Sequence, residues 1–380
     1  MRRHFARLLP AMIIAMPIVT AVAAARAEDL RTSLQTVYIV DDQTGGVILD
    51  RNGTARSEPA SLTKMMTAYL AFEALKTGKI KLTDTLPVSQ KARRMQGSRM
   101  FLERGSDVEF EDLLRGIIVQ SGNDASVAVA EGLAGSEEAF VERMNATARK
   151  FGMAGTHYSN SSGWPDPDHY TTARDLAILA HHLVADFPEY YHYFSEVSFT
   201  YHGIRQGNRN PLLYKPVGAD GIKTGYADGP GYSLVASGTQ DGRRIIMVIQ
   251  GLDSKRSRSD EAERLWQWAF HNFDDYRIAK GGTALANAPV WLGRQDTVPV
   301  GPKNDVVLTM PRSARRHLKA TAIFDGPLAA PISAGQVVGK LRLEAPGVAP
   351  MEVPLIAISG VEHLGAFDSM IATAEHLIWG

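Results

Sequence analysis

The feature that restricts the fold most is a pair of strand-like stretches set far apart in the chain. "TVYIVDDQTGGVILD" (36–50) reads as two short strands about a Gly-Gly turn, and "YSLVASGTQDGRRIIMVIQG" (232–251) as a second hairpin turning at Asp241-Gly242. Between them lie segments of helical pattern. A helix opens near Pro59, sets Leu62, Met65, Met66, Tyr69 and Leu70 on one buried stripe, and is capped at Gly78. "EDLLRGIIVQ", "DASVAVAEGLAG", "SEEAFVERMNATARKFG" and "TTARDLAILAHHLVADF" continue it, the last with Thr172 as a candidate cap. "SDEAERLWQWAFHNF" adds an amphipathic helix after the second hairpin. The expected fold is α/β, an antiparallel sheet with a helical subdomain, over residues 28–278.

Beyond this unit the pattern changes. "KGGTALANAP" reads as a linker, and 290–359 carry short β-like runs punctuated by Pro and Gly, as expected for a small all-β domain. Residues 360–380 form a helix-like end with Phe367, Ile371 and Leu377 roughly on one side; such a segment can lie on a membrane surface, although it has no Lys or Arg. Residues 86–108 are polar and read as loop.

At the other end, "MRRHFAR", an apolar core and "ARA" at 25–27 make residues 1–27 an export signal cleaved after Ala27. An exported chain with no cysteine has neither a disulfide framework nor a thiol nucleophile. With 41 basic and 41 acidic residues there is no global field to draw nucleic acid. No cofactor or metal is called for: His181 and His182, adjacent on a helix, point about 100° apart and make a poor chelate. "SKRSRSDEAER" reads as a solvated helix start and face, and "KARRMQGSRMFLERG" as a basic, flexible loop, solvent-exposed by preference or else beside a cleft.

Three short motifs suggest chemistry. "SLTK" puts Ser61 and Lys64 three residues apart, on one face of a helix. "SGN" places Ser121 and Asn123 at a break between helices. "KTG" at 223–225 follows a strand-like segment where backbone can line a pocket. The same tripeptide at 76–78 ends a helix, where Lys and Gly serve as capping residues, so context separates the two copies.

The set S-x-x-K, S-x-N, K-T-G occurs in penicillin-binding proteins and class A β-lactamases. With "EPASLTKMMTAYL", "LLRGIIVQSGNDASVAVAEGLAGS", "GIRQGNRN" and "DGIKTGYADGPGYSLVASG" added, the chain resembles the low-molecular-mass penicillin-binding proteins that are serine-type D-alanyl-D-alanine carboxypeptidases. The resemblance implies the penicillin-binding/β-lactamase-like fold over roughly 30–280, a peptidoglycan stem peptide as substrate, acylation by β-lactams and work in the periplasm. Ser61 is then the nucleophile and Lys64 its base. A free lysine titrates near 10.4, so this role needs a shift of about three units, roughly 4 kcal/mol. Lys223 is the obvious second cation to help lower it. Ser121 is a candidate proton relay and Asn123 a holder of the substrate amide. Lys223, Thr224 and Arg209 are candidates for the terminal carboxylate. Gly225 completes the strand motif. The backbone N–H groups of Ser61 and Tyr226 are implied as oxyanion donors.

Two positions depart from some relatives: Tyr226 and Ser162 stand where those carry histidine. If either histidine helps deacylation, turnover here is slower while acylation is unaffected. A β-lactamase and a catalytically dead penicillin-binding sensor remain the alternatives. The first needs a strong deacylating base, and no glutamate motif of that kind is present; the second is expected to lack a motif residue, and none is missing.

Overall fold

The two distant hairpins and the strand that carries Lys223 form a single five-stranded antiparallel sheet. A computed structural model of the chain describes residues 34–365, 368 and 370. The expected signal at 1–27 and most of the expected final helix at 360–380 lie outside the described residues. The strands are β1 (Thr36–Asp41), β2 (Val47–Arg51), β3 (Ala219–Ala227), β4 (Gly231–Gln240) and β5 (Arg243–Leu252), in the order β2-β1-β5-β4-β3. Val37 stands opposite Ile249, and Lys223 opposite Val235. At the β4–β5 turn Asp241 and Gly242 both take positive φ (50° and 80°), the two-residue turn whose twist matches a hairpin.

Successive side chains of a strand face opposite ways, and here both faces are covered. Tyr38, Val235, Ile246 and Val248 pack into a core shared with the helical subdomain. Val37, Ile39, Leu234, Ile245 and Met247 pack on the opposite face against Leu265, Trp266 and Ala269 of the helix after the sheet. The helices are α1 (Lys64–Lys76), α2 (Gln90–Arg94), α3 (Phe110–Ile118), α4 (Asn123–Ala134), α5 (Glu137–Lys150), α6 (Ala173–Asp186) and α7 (Lys255–Asn272). As expected, the Thr172 side chain caps α6, accepting from Asp175 N–H.

Three expectations need correction. Helix α1 is buried on every side from Lys64 to Phe72, not along one stripe, because it runs through the centre of the helical subdomain. Residues 86–108 are not all loop: Thr85–Pro87 pairs with Asp107–Glu109, and the Ser89 hydroxyl caps α2. The change to β structure comes at the end of α7, earlier than 278. Phe273–Ala279 pairs with Val306–Pro311, and Ala279, Val306 and Leu308 enter the C-terminal core. The second half of the expected linker is itself strand, Ala286–Trp291. It belongs to a six-stranded sheet in the spatial order Lys319–Ile323, Val337–Glu344, Met351–Ala357, Thr297–Pro302, Ala286–Trp291, Leu328–Ala329.

The two parts are joined by polar contacts. Arg243 donates to the carbonyls of Ala269, Phe270 and Phe273 where α7 ends, and Thr309 bonds both Thr44 and Asp275. Among the described residues no helix is long and apolar enough to cross a membrane.

Candidate active site

Residues Ala60–Thr63 form a short 3-10 turn that runs directly into α1. Neither the turn nor the helix has a side-chain cap, and Ala60 sits at φ 46°, a region a non-glycine residue occupies at a cost. The turn and the start of α1 are held from outside by the loop at 157–170. Thr67 donates to the carbonyl of Ser161 at 2.6 Å, and Lys64 to that of Ser162 at 2.5 Å. The Thr63 hydroxyl lies 2.9 Å from His169 Nε2. Gly163, at φ 79°, passes so near that a Cβ there would lie 1.7 Å from the carbonyl oxygen of Ala60.

The structure brings Ser61 and Lys64 together. Lys64 is 1% exposed; its Nζ lies 3.2 Å from Ser61 Oγ and 2.7 Å from Asn123 Oδ1. Burial lowers its pKa to about 7, the charge of Arg209 adds to the effect and Asp124 opposes it. An amine titrating there is neutral often enough at ordinary pH to take a hydroxyl proton.

Ser121 occupies the break between α3 and α4 at φ 61°, with its hydroxyl buried and bonded to no group among the described residues. Asn123 opens α4, and both ends of its amide are engaged internally: Oδ1 accepts from Lys64 and Nδ2 donates to the carbonyl of Gln96 at 2.7 Å. Asn123 thus ties Lys64 to the 96–102 loop. Asp124, which the sequence reading missed, adds to that tie by accepting from the N–H groups of Met100 and Leu102.

Lys223, Thr224 and Gly225 lie on β3, the edge strand. Lys223 is 3% exposed, and burial first, then the charges of Lys64, Arg209 and Arg258, push its pKa well down. Gly225 is a contact requirement: a Cβ there would meet Ser233 Oγ at 2.5 Å and Leu62 Cγ at 3.1 Å, so only glycine lets the strand approach the turn that carries Ser61. The other K-T-G copy is a helix end, with Thr77 at the cap and Gly78 at φ 70°.

Arg209 donates to Ser98 Oγ at 2.7 Å. Behind it Arg258, 6% exposed, donates to the backbone carbonyl of Arg209. Burial lowers the pKa of both, that of Arg258 to about 10. Neither forms an ion pair among the described residues. Two desolvated cations at one end of a cleft of about 790 Å³ suit an anionic group on an incoming molecule.

The profile described as D-alanyl-D-alanine carboxypeptidase matches residues 21–254, and that of the C-terminal domain of penicillin-binding protein 5 matches 273–363. The chain belongs to the D-alanyl-D-alanine carboxypeptidase family. It is 37% identical to the D-alanyl-D-alanine carboxypeptidase DacA of Haemophilus influenzae, covering 88% of this chain and 87% of that one. It is 40% identical to the D-alanyl-D-alanine carboxypeptidase DacC of Escherichia coli, covering 87% and 84%. The solved structure of penicillin-binding protein 5 from Haemophilus influenzae aligns with a TM-score of 0.78 at 37% identity, over 88% of this chain and 99% of that one. D-alanyl-D-alanine carboxypeptidases of this family are serine hydrolases that work through an acyl-enzyme and bind β-lactams.

Two further expectations change within this carboxypeptidase. The run "SKRSRSDEAER" is not simply a solvated face, because Arg258 turns inward to the cleft while the Ser254 capping box starts α7. The basic segment near 95 takes the cleft-side alternative rather than the preferred exposed one, because Gly97 and Ser98 line the cleft. Tyr226 is 53% exposed at the rim, its hydroxyl on Asp228 at 2.8 Å. Ser162 presents its carbonyl, not its side chain, to Lys64. His181 and His182 bond Asp42 and Asp186 separately.

Proposed function

We propose that this enzyme removes the terminal D-alanine of peptidoglycan stem peptides through an ester on Ser61. The observation that carries the assignment of residues is the buried amine of Lys64 at 3.2 Å from Ser61 Oγ, with its pKa brought to about 7. Ser61 Oγ attacks the carbonyl of the last peptide bond and gives its proton to Lys64. Charge builds on the carbonyl oxygen, where the N–H groups of Ser61 and Tyr226 receive it. The C–N bond breaks as a proton passes from Lys64, by way of Ser121, to the leaving amine of D-alanine. Water, activated by the again neutral Lys64, then releases the acyl group.

Arg209, Thr224 and Lys223 hold the substrate's free carboxylate, with Arg258 behind them; this accounts for cations at the site that have no carboxylate partner among the described residues. Asn123 holds Lys64 in place until substrate arrives. A β-lactam enters the same steps as far as the ester. Export through residues 1–27 puts the enzyme in the periplasm, and the 360–380 segment gives it a peripheral contact with the inner membrane.

Intact mass of the mature protein, with and without benzylpenicillin, tests the assignment alongside D-alanine release from a D-Ala-D-Ala-terminated peptide. Wild type should gain one penicilloyl increment that persists, and Ser61→Ala should gain none and release no D-alanine. An increment retained by Ser61→Ala rejects the nucleophile. Fast hydrolysis of benzylpenicillin by wild type identifies a β-lactamase instead.

A further inference from the structure

The loop that packs on the Ser61 turn contains a buried histidine with no part in the steps above. His169 is 3% exposed, and its Nε2 lies 2.9 Å from the Thr63 hydroxyl. Its Nδ1 accepts the backbone N–H of Ser159 at 3.4 Å. With Nδ1 accepting, the hydrogen-bond network assigns the proton of the neutral ring to Nε2, and Thr63 Oγ1 receives it. Thr63 is the residue between the nucleophile's neighbour Leu62 and the base Lys64. The other contacts from this loop, the carbonyls of Ser161 and Ser162, engage side chains on α1 proper. His169 alone among the described residues of the loop reaches the uncapped turn with a side-chain hydrogen bond.

We propose that His169 is a positioning residue: as a neutral imidazole acting through Thr63, it keeps the turn in the register that sets Lys64 Nζ against Ser61 Oγ. The proposal rests on the reading of Ser61 as the acylated nucleophile. The groups that face the ring are the Asp166 carboxylate, the His157 ring, the Lys64 amine and the Tyr158 ring, met edge-on at 5.7 Å. Charging the ring sets a new N–H against the N–H of Ser159 and a second cation near Lys64. Burial, the largest influence, keeps the ring neutral by lowering its pKa to about 4. A carbonyl oxygen or a water has no such dependence, which makes the histidine separable from the rest of the loop.

The test is the benzylpenicillin acylation rate of the mature protein over about pH 5 to 9, which spans the Lys64 titration, read by time-resolved intact mass. The variants are His169→Phe, His169→Gln and Thr63→Val, each with its melting temperature. His169→Phe and Thr63→Val should acylate about tenfold to a hundredfold more slowly, the size of effect expected from a misplacement near 1 Å. Their pH midpoints should rise by about half a unit or more as Lys64 loses its enclosed seat. His169→Gln, whose amide N–H reaches the Nε2 position, should stay within about threefold of wild type. Either of the first two variants matching wild type overturns the proposal. So does a loss confined to the fraction of active protein with the midpoint unmoved, and so does His169→Gln failing as His169→Phe does. If His169→Phe does not fold, Thr63→Val, which keeps the volume and removes only the hydroxyl, decides alone. Wild type that benzylpenicillin does not acylate at all overturns the Ser61 reading, and this proposal with it.

Discussion

Arg258 donates a hydrogen bond of 3.0 Å to the backbone carbonyl of Arg209, so helix α7 reaches past the edge of the sheet and braces the cation that faces the cleft. The Arg258 guanidinium also lies 5.6 Å from the centre of the Tyr232 ring, which packs at 4.6 Å on Tyr226. One helix thus supports both the cationic lining of the cleft and its aromatic rim.

Replacing Arg258 by Met removes a charge and the brace but keeps apolar bulk. The kcat/KM for D-alanine release should fall about tenfold to a hundredfold, the range for losing a hydrogen bond to a charged group. Acylation by a β-lactam whose carboxylate is esterified should change much less. Equal losses for the free acid and the ester would assign Arg258 to structure rather than to carboxylate binding.

Ser121→Ala separates function from stability. The hydroxyl is buried and unbonded among the described residues, so deleting it forfeits no hydrogen bond. The melting temperature should hold or rise slightly, while acylation and deacylation both slow by about a hundredfold or more, the usual worth of a positioned proton-transfer group. Thermal melts and single-turnover kinetics on the same preparation check both halves.

Gly163→Ala should destabilise the fold and silence the site together. The new methyl would lie 1.7 Å from the Ala60 carbonyl at a φ of 79°, so the nucleophile turn must move. Gly135→Ala, at φ 82° with open space around it, should cost only about 1 kcal/mol and leave acylation intact. Denaturant midpoints and penicillin labelling of the two variants make the comparison.

Lys64→Met should change how stability depends on pH. Because the folded pKa of Lys64 is depressed to about 7, the unfolded chain binds more protons between there and the ordinary lysine value. Wild-type stability therefore rises with pH across that window as the cost of a buried charge disappears, by a few kcal/mol at most. Lys64→Met lacks this rise. The variant should gain relative to wild type at pH 6, lose the advantage by pH 10, and never acylate. Urea unfolding at the two pH values reads the difference.

What could be seen in the sequence was local. The spacing in "SLTK" already set Ser61 and Lys64 on one face, Asp241-Gly242 already specified a hairpin, and the strand before Lys223 already told that K-T-G from the one capping α1. What could not be seen depends on chain segments meeting from a distance. Arg258 sits in a run of alternating serines and charges whose local pattern matches a solvated helix start; only the arrival of Arg209 and Tyr232 over it makes its position an interior one. Ser98 and Asp124 are ordinary polar residues until the loop and the head of α4 close on each other. Asn123 carries the expected residue type, yet both atoms of its amide are occupied by partners that spacing alone does not disclose.

The position of β3 has a further consequence. It is the outermost strand of its sheet, and from Thr224 to Ala227 it forms one wall of the cleft. A main-chain border of this kind greets any extended peptide with the same row of donors and acceptors, whatever side chains the visitor carries. Selection must then fall on the visitor's last few atoms: its terminal charge and the handedness of its final residues.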